Sequence, residues 1–134
     1  MASILKVDTI TGVTTAGSIA ITGEGNSTTT NLQQGLCKVW YEMGSDFALD
    51  DSLNMASVTD DGTGIITYAY TNNMANASYA PTAGPTGGGR NTTFIVVETT
   101  TLSTSGAEAS IGTVGGSNAL SDSAHAMSLH GDLA

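Results

Sequence analysis

The chain is predicted to be an all-β protein: a β-sandwich or jelly-roll-like C-terminal domain behind an extended N-terminal β-arm. Three observations predict this. Apolar residues show almost no helical periodicity, and short β-branched or aromatic runs recur instead. Clusters of Gly, Asn and Asp separate those runs at turn-like intervals. The 134 residues are dominated by small side chains, with 17 glycines, 5% aromatic and 11% charged residues. Small side chains each bury little area, at roughly 25 cal/mol per Å² of apolar surface, so neighbouring subunits are expected to supplement the core.

In chain order, residues 3–10 (SILKVDTI) and 18–22 (SIAIT) are predicted as two short strands, joined by the turn region from Gly12 to Gly17. The polar stretch GEGNSTTTNLQQG follows. Residues 1–34 form the arm. Its apolar residues Ile4, Leu5, Val7, Ile10, Ile19 and Ile21 are too few for a core of their own, so they are expected to anchor on a partner. Residues 35–134 form the main domain, where hydrophobic density rises. LCKVWYEM carries the only Trp, Trp40, beside Tyr41; Leu49, Leu53 and Met55 continue as expected core positions. In VTDDGTGIITYAYT, Asp61-Gly62 supplies a turn that accepts positive φ, which predicts a hairpin. Ile66, Tyr68 and Tyr70 then alternate with Thr67, Ala69 and Thr71, giving one buried face and one of small residues.

The next segment, NNMANASYAPTAGPTGGGRN, holds both prolines, Pro81 and Pro85, and three consecutive glycines. It is predicted to be a surface loop after a short strand near Tyr79. TTFIVVETTTL is strongly β-forming and ASIGTV weakly so. In AHAMSLHG, His125, Met127 and Leu129 alternate with Ala126 and Ser128, which predicts a last strand ending near Gly131. Six to eight strands are expected from Leu36 onward.

Charge and chemistry exclude several functions. Three basic residues, Lys6, Lys38 and Arg90, face twelve acids for a net charge of −9. A phosphate-binding surface needs clustered cations, so nucleic acid is not an expected partner. The single Cys37 cannot form an intrachain disulfide. The opening MASILKVDTITG lacks the apolar run of a signal peptide, and no stretch approaches a membrane span, so membrane insertion is not expected. Half of the acids, Glu42, Asp46, Asp50, Asp51, Asp60 and Asp61, lie within twenty residues, yet the spacing of a calcium loop is missing; turn chemistry and solvated edge charges explain them. His125 and His130, five apart, fall on opposite faces of one strand, unlike a shared metal site. No G-x-S-x-G context is present, and GPTGGGR lacks the ending of a phosphate loop. The chain is expected to be no enzyme and to need no cofactor or metal. The aromatics Trp40, Tyr41, Tyr68, Tyr70 and Tyr79 suit core packing better than a sugar-stacking platform.

The sequence also resembles small fibre-like virion structural proteins of marine bacteriophages. The likeness is carried by MASILKVDTI at the N-terminus, by GLCKVWYEM, by SLNMASVTDDGTGIITYAYTNNMANASYA, and by a last strand ending GDLA. It extends over most of the chain. It implies a homotrimeric virion protein, assembled in the host bacterial cytoplasm, whose arm attaches to tail, vertex or capsid proteins. The distal domain would then meet a host surface glycan or protein. The likeness breaks down at residues 84–91, where GPTGGGRN is especially Gly-rich. Thr86, Gly87, Gly88, Gly89, Arg90 and Asn91 are therefore expected to form a receptor-facing loop. A capsid decoration protein, or a free carbohydrate-binding module, would use the same elements differently.

Overall fold

The computed structural model describes residues 4–13, 19–22, 28–86, 93–97, 101–113 and 119–131. Two four-stranded antiparallel sheets form the body of the molecule, and a separate two-stranded ribbon precedes them. In the ribbon, β1 (Ala20–Thr22) pairs with β2 (Thr29–Asn31), and one helical turn, α1 (Leu32–Gly35), follows. Asn31 caps that turn by accepting a hydrogen bond from the Gln34 amide. This corrects the expected arm: residues 4–13 form no strand, and β1 finds its partner in the polar stretch after it. Thr-rich backbone pairs readily once a turn brings it round, because the ladder needs peptide groups rather than apolar side chains.

The remaining strands are β3 (Cys37–Met43), β4 (Leu49–Leu53), β5 (Met55–Gly62), β6 (Ile65–Tyr70), β7 (Ala80–Pro85), β8 (Thr93–Val97), β9 (Gly106–Thr113) and β10 (His125–His130). The first sheet has the order β4-β3-β10-β7, and the second β5-β6-β9-β8. The first and last strands of the domain are thus paired side by side, so neither can fray without opening the centre of a sheet. Inward positions alternate as expected. Val39, Tyr41 and Met43 of β3 and Met127 and Leu129 of β10 face Ile66, Tyr68 and Tyr70 of β6 and Ala107, Ala109 and Ile111 of β9.

Three expectations change. The prolines lie in β7, not in a loop. β7 is an edge strand bonded only to β10, and an edge tolerates residues that cannot donate. The tight turn of the β5–β6 hairpin is Thr63-Gly64, two residues beyond Asp61-Gly62. A bulge between Asp60 and Gly62 shifts it, with the Asp60 carboxylate accepting from the Gly62 amide. Leu49 and Leu53 are 37% and 46% exposed rather than core residues, because β4 is the opposite edge strand and Leu53 pairs across to outward-facing Trp40.

The crossing from one sheet to the other between β4 and β5 takes a single residue. Asn54 sits at φ 61° and clamps the corner. Its side-chain amide donates to the Asn72 carbonyl, its side-chain oxygen accepts from the Asn72 amide, and its backbone carbonyl accepts from Thr71. Asn is among the side chains best able to hold this left-handed conformation and bond locally.

Gly64 ties the hairpin to the opposite corner. It lies at φ 66°, donates to the Asp122 carboxylate and accepts from the Ile111 amide. A methyl group there would collide with the Ile111 carbonyl oxygen. Gly64→Ala is therefore expected to lower stability by at least ~2 kcal/mol, through strain and collision together. Gly35→Ala, whose added carbon meets only Thr30 Cγ2 at 3.8 Å, is the control. Urea denaturation of both variants, compared at unchanged slope, checks this.

Candidate functional site

The titratable groups with chemical potential lie inside the sandwich. All four tyrosines of the chain, Tyr41, Tyr68, Tyr70 and Tyr79, are buried, and so is His125. β3 points Tyr41 inward beside His125 of β10, their rings edge to face with centroids 5.5 Å apart. The Tyr41 hydroxyl lies 3.2 Å from His125 Nε2, and His125 Nδ1 lies 2.9 Å from the Ser123 carbonyl oxygen. A carbonyl only accepts, so Nδ1 carries the proton and Nε2 accepts from Tyr41. Phe47, held at φ 56° in the β3–β4 turn, closes the far side of the imidazole at 6.2 Å.

A second hydroxyl chain runs along the other end of the core. Tyr70 donates to the Tyr79 hydroxyl at 3.0 Å, and Tyr79 is shared between the carbonyls of Ser103 and Gly106 at 3.1 and 3.2 Å. Tyr68 reaches across the sandwich to Met127 Sδ at 3.6 Å. Burial pushes all four phenols above their ordinary range, with neighbouring phenols adding to the effect at Tyr68, the bond to Tyr79 adding at Tyr70, and the bonds to Tyr70 and Ser103 opposing it at Tyr79. Burial also lowers His125 below its usual value, opposed in part by the Ser123 bond. None of these groups is placed to meet a substrate; each hydroxyl is committed to an internal partner.

On the outer face of the second sheet, Thr67, Thr101, Ser103, Ser105 and Glu108 rim a shallow open depression floored by Ala69, Gly106 and Ala107. Thr101 Oγ1 accepts from the Glu108 amide and Ser103 Oγ from the Gly106 amide, so these hydroxyls mainly shape the loop. The acids of residues 42–61 are exposed and spread over three strands and one turn. Asp46, Asp51 and Asp60 each accept from a backbone amide one or two residues on. Among the described residues, no group of three His, Cys, Asp or Glu side chains converges on a metal-sized space. His130 points away from His125, on the outer face.

The residues expected to anchor a partner are displayed rather than packed. Ile4, Leu5, Val7, Ile10 and Ile21 are between 53% and 79% exposed, Ile19 is half-buried, and Val13, not singled out from the sequence, is 94% exposed. Its flanking Gly and Thr residues gave no strand or helix pattern to mark it. Of the expected receptor-facing loop, Thr86 is exposed and its amide donates to the Ala124 carbonyl. Gly87, Gly88, Gly89, Arg90 and Asn91 lie outside the described residues. Trp40, expected in the core, is instead half-buried on the outer face of the first sheet, because it alternates along β3 with Val39 and Tyr41, which face inward; the other four aromatics are buried.

No family model matches the chain, and no curated protein or solved structure matches it. Among the described residues, no helix is long and apolar enough to cross a membrane.

The buried imidazole makes stability pH-dependent. His125 is neutral in the folded chain and titrates near 6.5 once unfolded, so the unfolded state binds the extra proton as pH falls. Its contribution is complete above about pH 6.5 and is lost progressively below it, by up to ~1.4 kcal/mol per pH unit until the folded-state value is reached. His125→Gln is expected to flatten that part of the profile, seen by denaturation at pH 7.5 and 5.0. Tyr41→Phe, which leaves Nε2 without its donor, is expected to cost ~1–3 kcal/mol at pH 7.5.

Proposed function

We propose that this chain is a non-enzymatic structural protein of a bacteriophage particle. In this reading it is a homotrimeric fibre whose residues 1–34 join it to sister copies or to the particle, while residues 35–134 stand outward as an adhesive domain. The observation that carries this reading is the unequal burial of apolar residues. The sandwich encloses its own core completely, with Val39, Met43, Ile66, Tyr68, Ala109, Ile111 and Leu129 at 0% exposure. The arm leaves Ile4, Leu5, Val7, Ile10, Val13 and Ile21 largely in solvent. Isolated exposed aliphatics are ordinary, but six in the first 21 residues, ahead of a finished domain, describe a segment that completes its burial on another chain. The resemblance to marine phage fibre proteins supplies the setting, and the net charge of −9 keeps such a particle surface soluble.

The non-enzymatic part rests on where the reactive groups lie. His125 and the four phenols are internal, each with a hydrogen-bond partner, and the outer hydroxyls serve loop geometry. Adhesion by such a domain works through multivalency: three modest contacts on one rigid stalk raise the effective concentration of the second and third.

Deleting residues 1–34 is expected to leave a folded sandwich, read by far-UV circular dichroism, that no longer incorporates into particles. Normal incorporation of the truncated protein overturns the anchoring role. Counting copies in purified particles separates the two virion readings: tens or fewer support a fibre, and hundreds support a capsid decoration protein.

A further inference from the structure

One end of the first sheet is held shut by a single side chain. From Gly44 to Asn54, which spans the β3–β4 turn and all of β4, Phe47 is the one buried residue; the others are half-buried or exposed. β4 is an edge strand bonded only to β3, and its ladder is poorest beside the turn. The register slips between Glu42 and Met43, which leaves Asp50 without a partner across the ladder, and the next pair sets Glu42 directly against Asp51. The turn itself closes on two bonds of 3.2 Å, from the Gly44 amide to the Ala48 carbonyl and from the Phe47 amide to the Gly44 carbonyl.

Phe47 is also strained. Its φ of 56° lies in the left-handed region, where a bulky side chain is rarely found, so opening the turn releases stored energy. What holds it is the seat of its ring, which meets His125 edge to face and is only 7% exposed. The far end of the segment cannot follow, because Asn54 is clamped to Thr71 and Asn72. Residues 44–51 are therefore a hinged piece with one plug.

Beneath the plug, His125 is completely buried. β3 presents the Tyr41 hydroxyl to it, β6 places Tyr68 behind Tyr41, β7 sets Pro85 opposite, and the segment before β10 supplies the Ser123 carbonyl. The charged groups of these elements are directed elsewhere. Asp46 caps the Ala48 amide, Asp122 holds the Gly64 amide, Glu42 faces outward, and Lys38 and His130 lie toward the other ends of β3 and β10. No carboxylate is among the described partners of His125, so an imidazolium formed here has no counter-charge. Its Nε2 must also turn from acceptor to donor, which drives the Tyr41 hydroxyl toward Met127 Sδ, 4.0 Å away. Swinging Phe47 out gives the ring water instead.

We propose that residues 44–51 form an acid-released flap, with Phe47 as its plug and His125 as the group that takes up the proton. Release leaves the neighbouring stretch of β3 as an unpaired sheet edge and uncovers the His125–Tyr41 pair. The rest of the sandwich stays closed, since the β6–β9 and β3–β10 ladders do not pass through the flap. The opening is local, which separates it from the loss of overall stability in acid, and it does not depend on what the chain attaches to.

Amide hydrogen exchange on the full chain at pH 7.5 and 5.0, expressed as protection factors, tests it. Residues 44–51 are expected to be less protected than β6 and β9 at both values. Their protection is expected to fall on acidification by up to ~30-fold, the limit for an imidazole that titrates near 6.5 once exposed. His125→Gln is expected to remove this pH dependence, and Phe47→Ala to give low protection at both values. The chain has only two histidines, so His130→Gln, expected to leave the dependence unchanged, assigns it to His125 even if His125→Gln does not fold. Protection of 44–51 that does not change with pH, that equals that of β6 and β9 at both values, or that loses its pH dependence in His130→Gln overturns the proposal.

Discussion

Every tyrosine in this protein must hide a hydroxyl group, and the sandwich is organised around meeting that demand. The chain has few large side chains, and four phenols, two of them on β6 and one on β3, are among the largest in its core. A buried hydroxyl without a partner costs ~1–3 kcal/mol, which fixes where each ring tip ends. Tyr41 needs His125 Nε2, and His125 in turn needs the Ser123 carbonyl. Tyr68 settles on Met127 of the facing sheet, and Tyr70 donates a hydrogen bond to Tyr79, which in turn donates to the carbonyls of Ser103 and Gly106. The bonds of Tyr68 and Tyr79 tie the two sheets together alongside apolar contact, and a polar network that is fully satisfied specifies a unique packing.

That constraint reaches into the connections. Tyr79 can meet Gly106 only because the β8–β9 loop approaches the crossing segment after β6, and the backbone there is drawn in by Tyr70 and Met74 amides bonding to the carbonyls of Ser105 and Thr104. Gly106 itself lies so near the Tyr68 carbonyl that a side chain would collide with it. The corner at Asn54 and the turn at Gly64 serve the same end from outside, fixing the two edges at which the sheets change over. A core that is closed, hydrogen-bonded and without access from solvent leaves the surface and the arm as the parts available for function.

Alternation alone revealed much of this. The period of two in β6 and β10 marked Ile66, Tyr68, Tyr70, Met127 and Leu129 as one buried face, and the structure places them there. Turn residues located the β5–β6 hairpin to within two positions. Edges were harder to read. Leu49 and Leu53 look like core residues, and Pro81 and Pro85 look like loop residues, because hydropathy and propensity report what a residue prefers and not which strand lies beside it. Both errors have the same source: β4 and β7 are the two edges of one sheet, a fact set by how distant strands pair.

The sequence by itself determined the all-β class, the alternation of β6 and β10, and the contrast between a thin arm and a denser domain, since these follow from local spacing and composition. Only the tertiary structure decided that the first and last strands of the domain pair, that β1 joins β2, that His125 is sealed against Tyr41, and that Glu42 confronts Asp51. Those outcomes depend on contacts between residues as distant as Cys37 and His130, and no local pattern encodes which remote backbone or hydroxyl will complete a given bond.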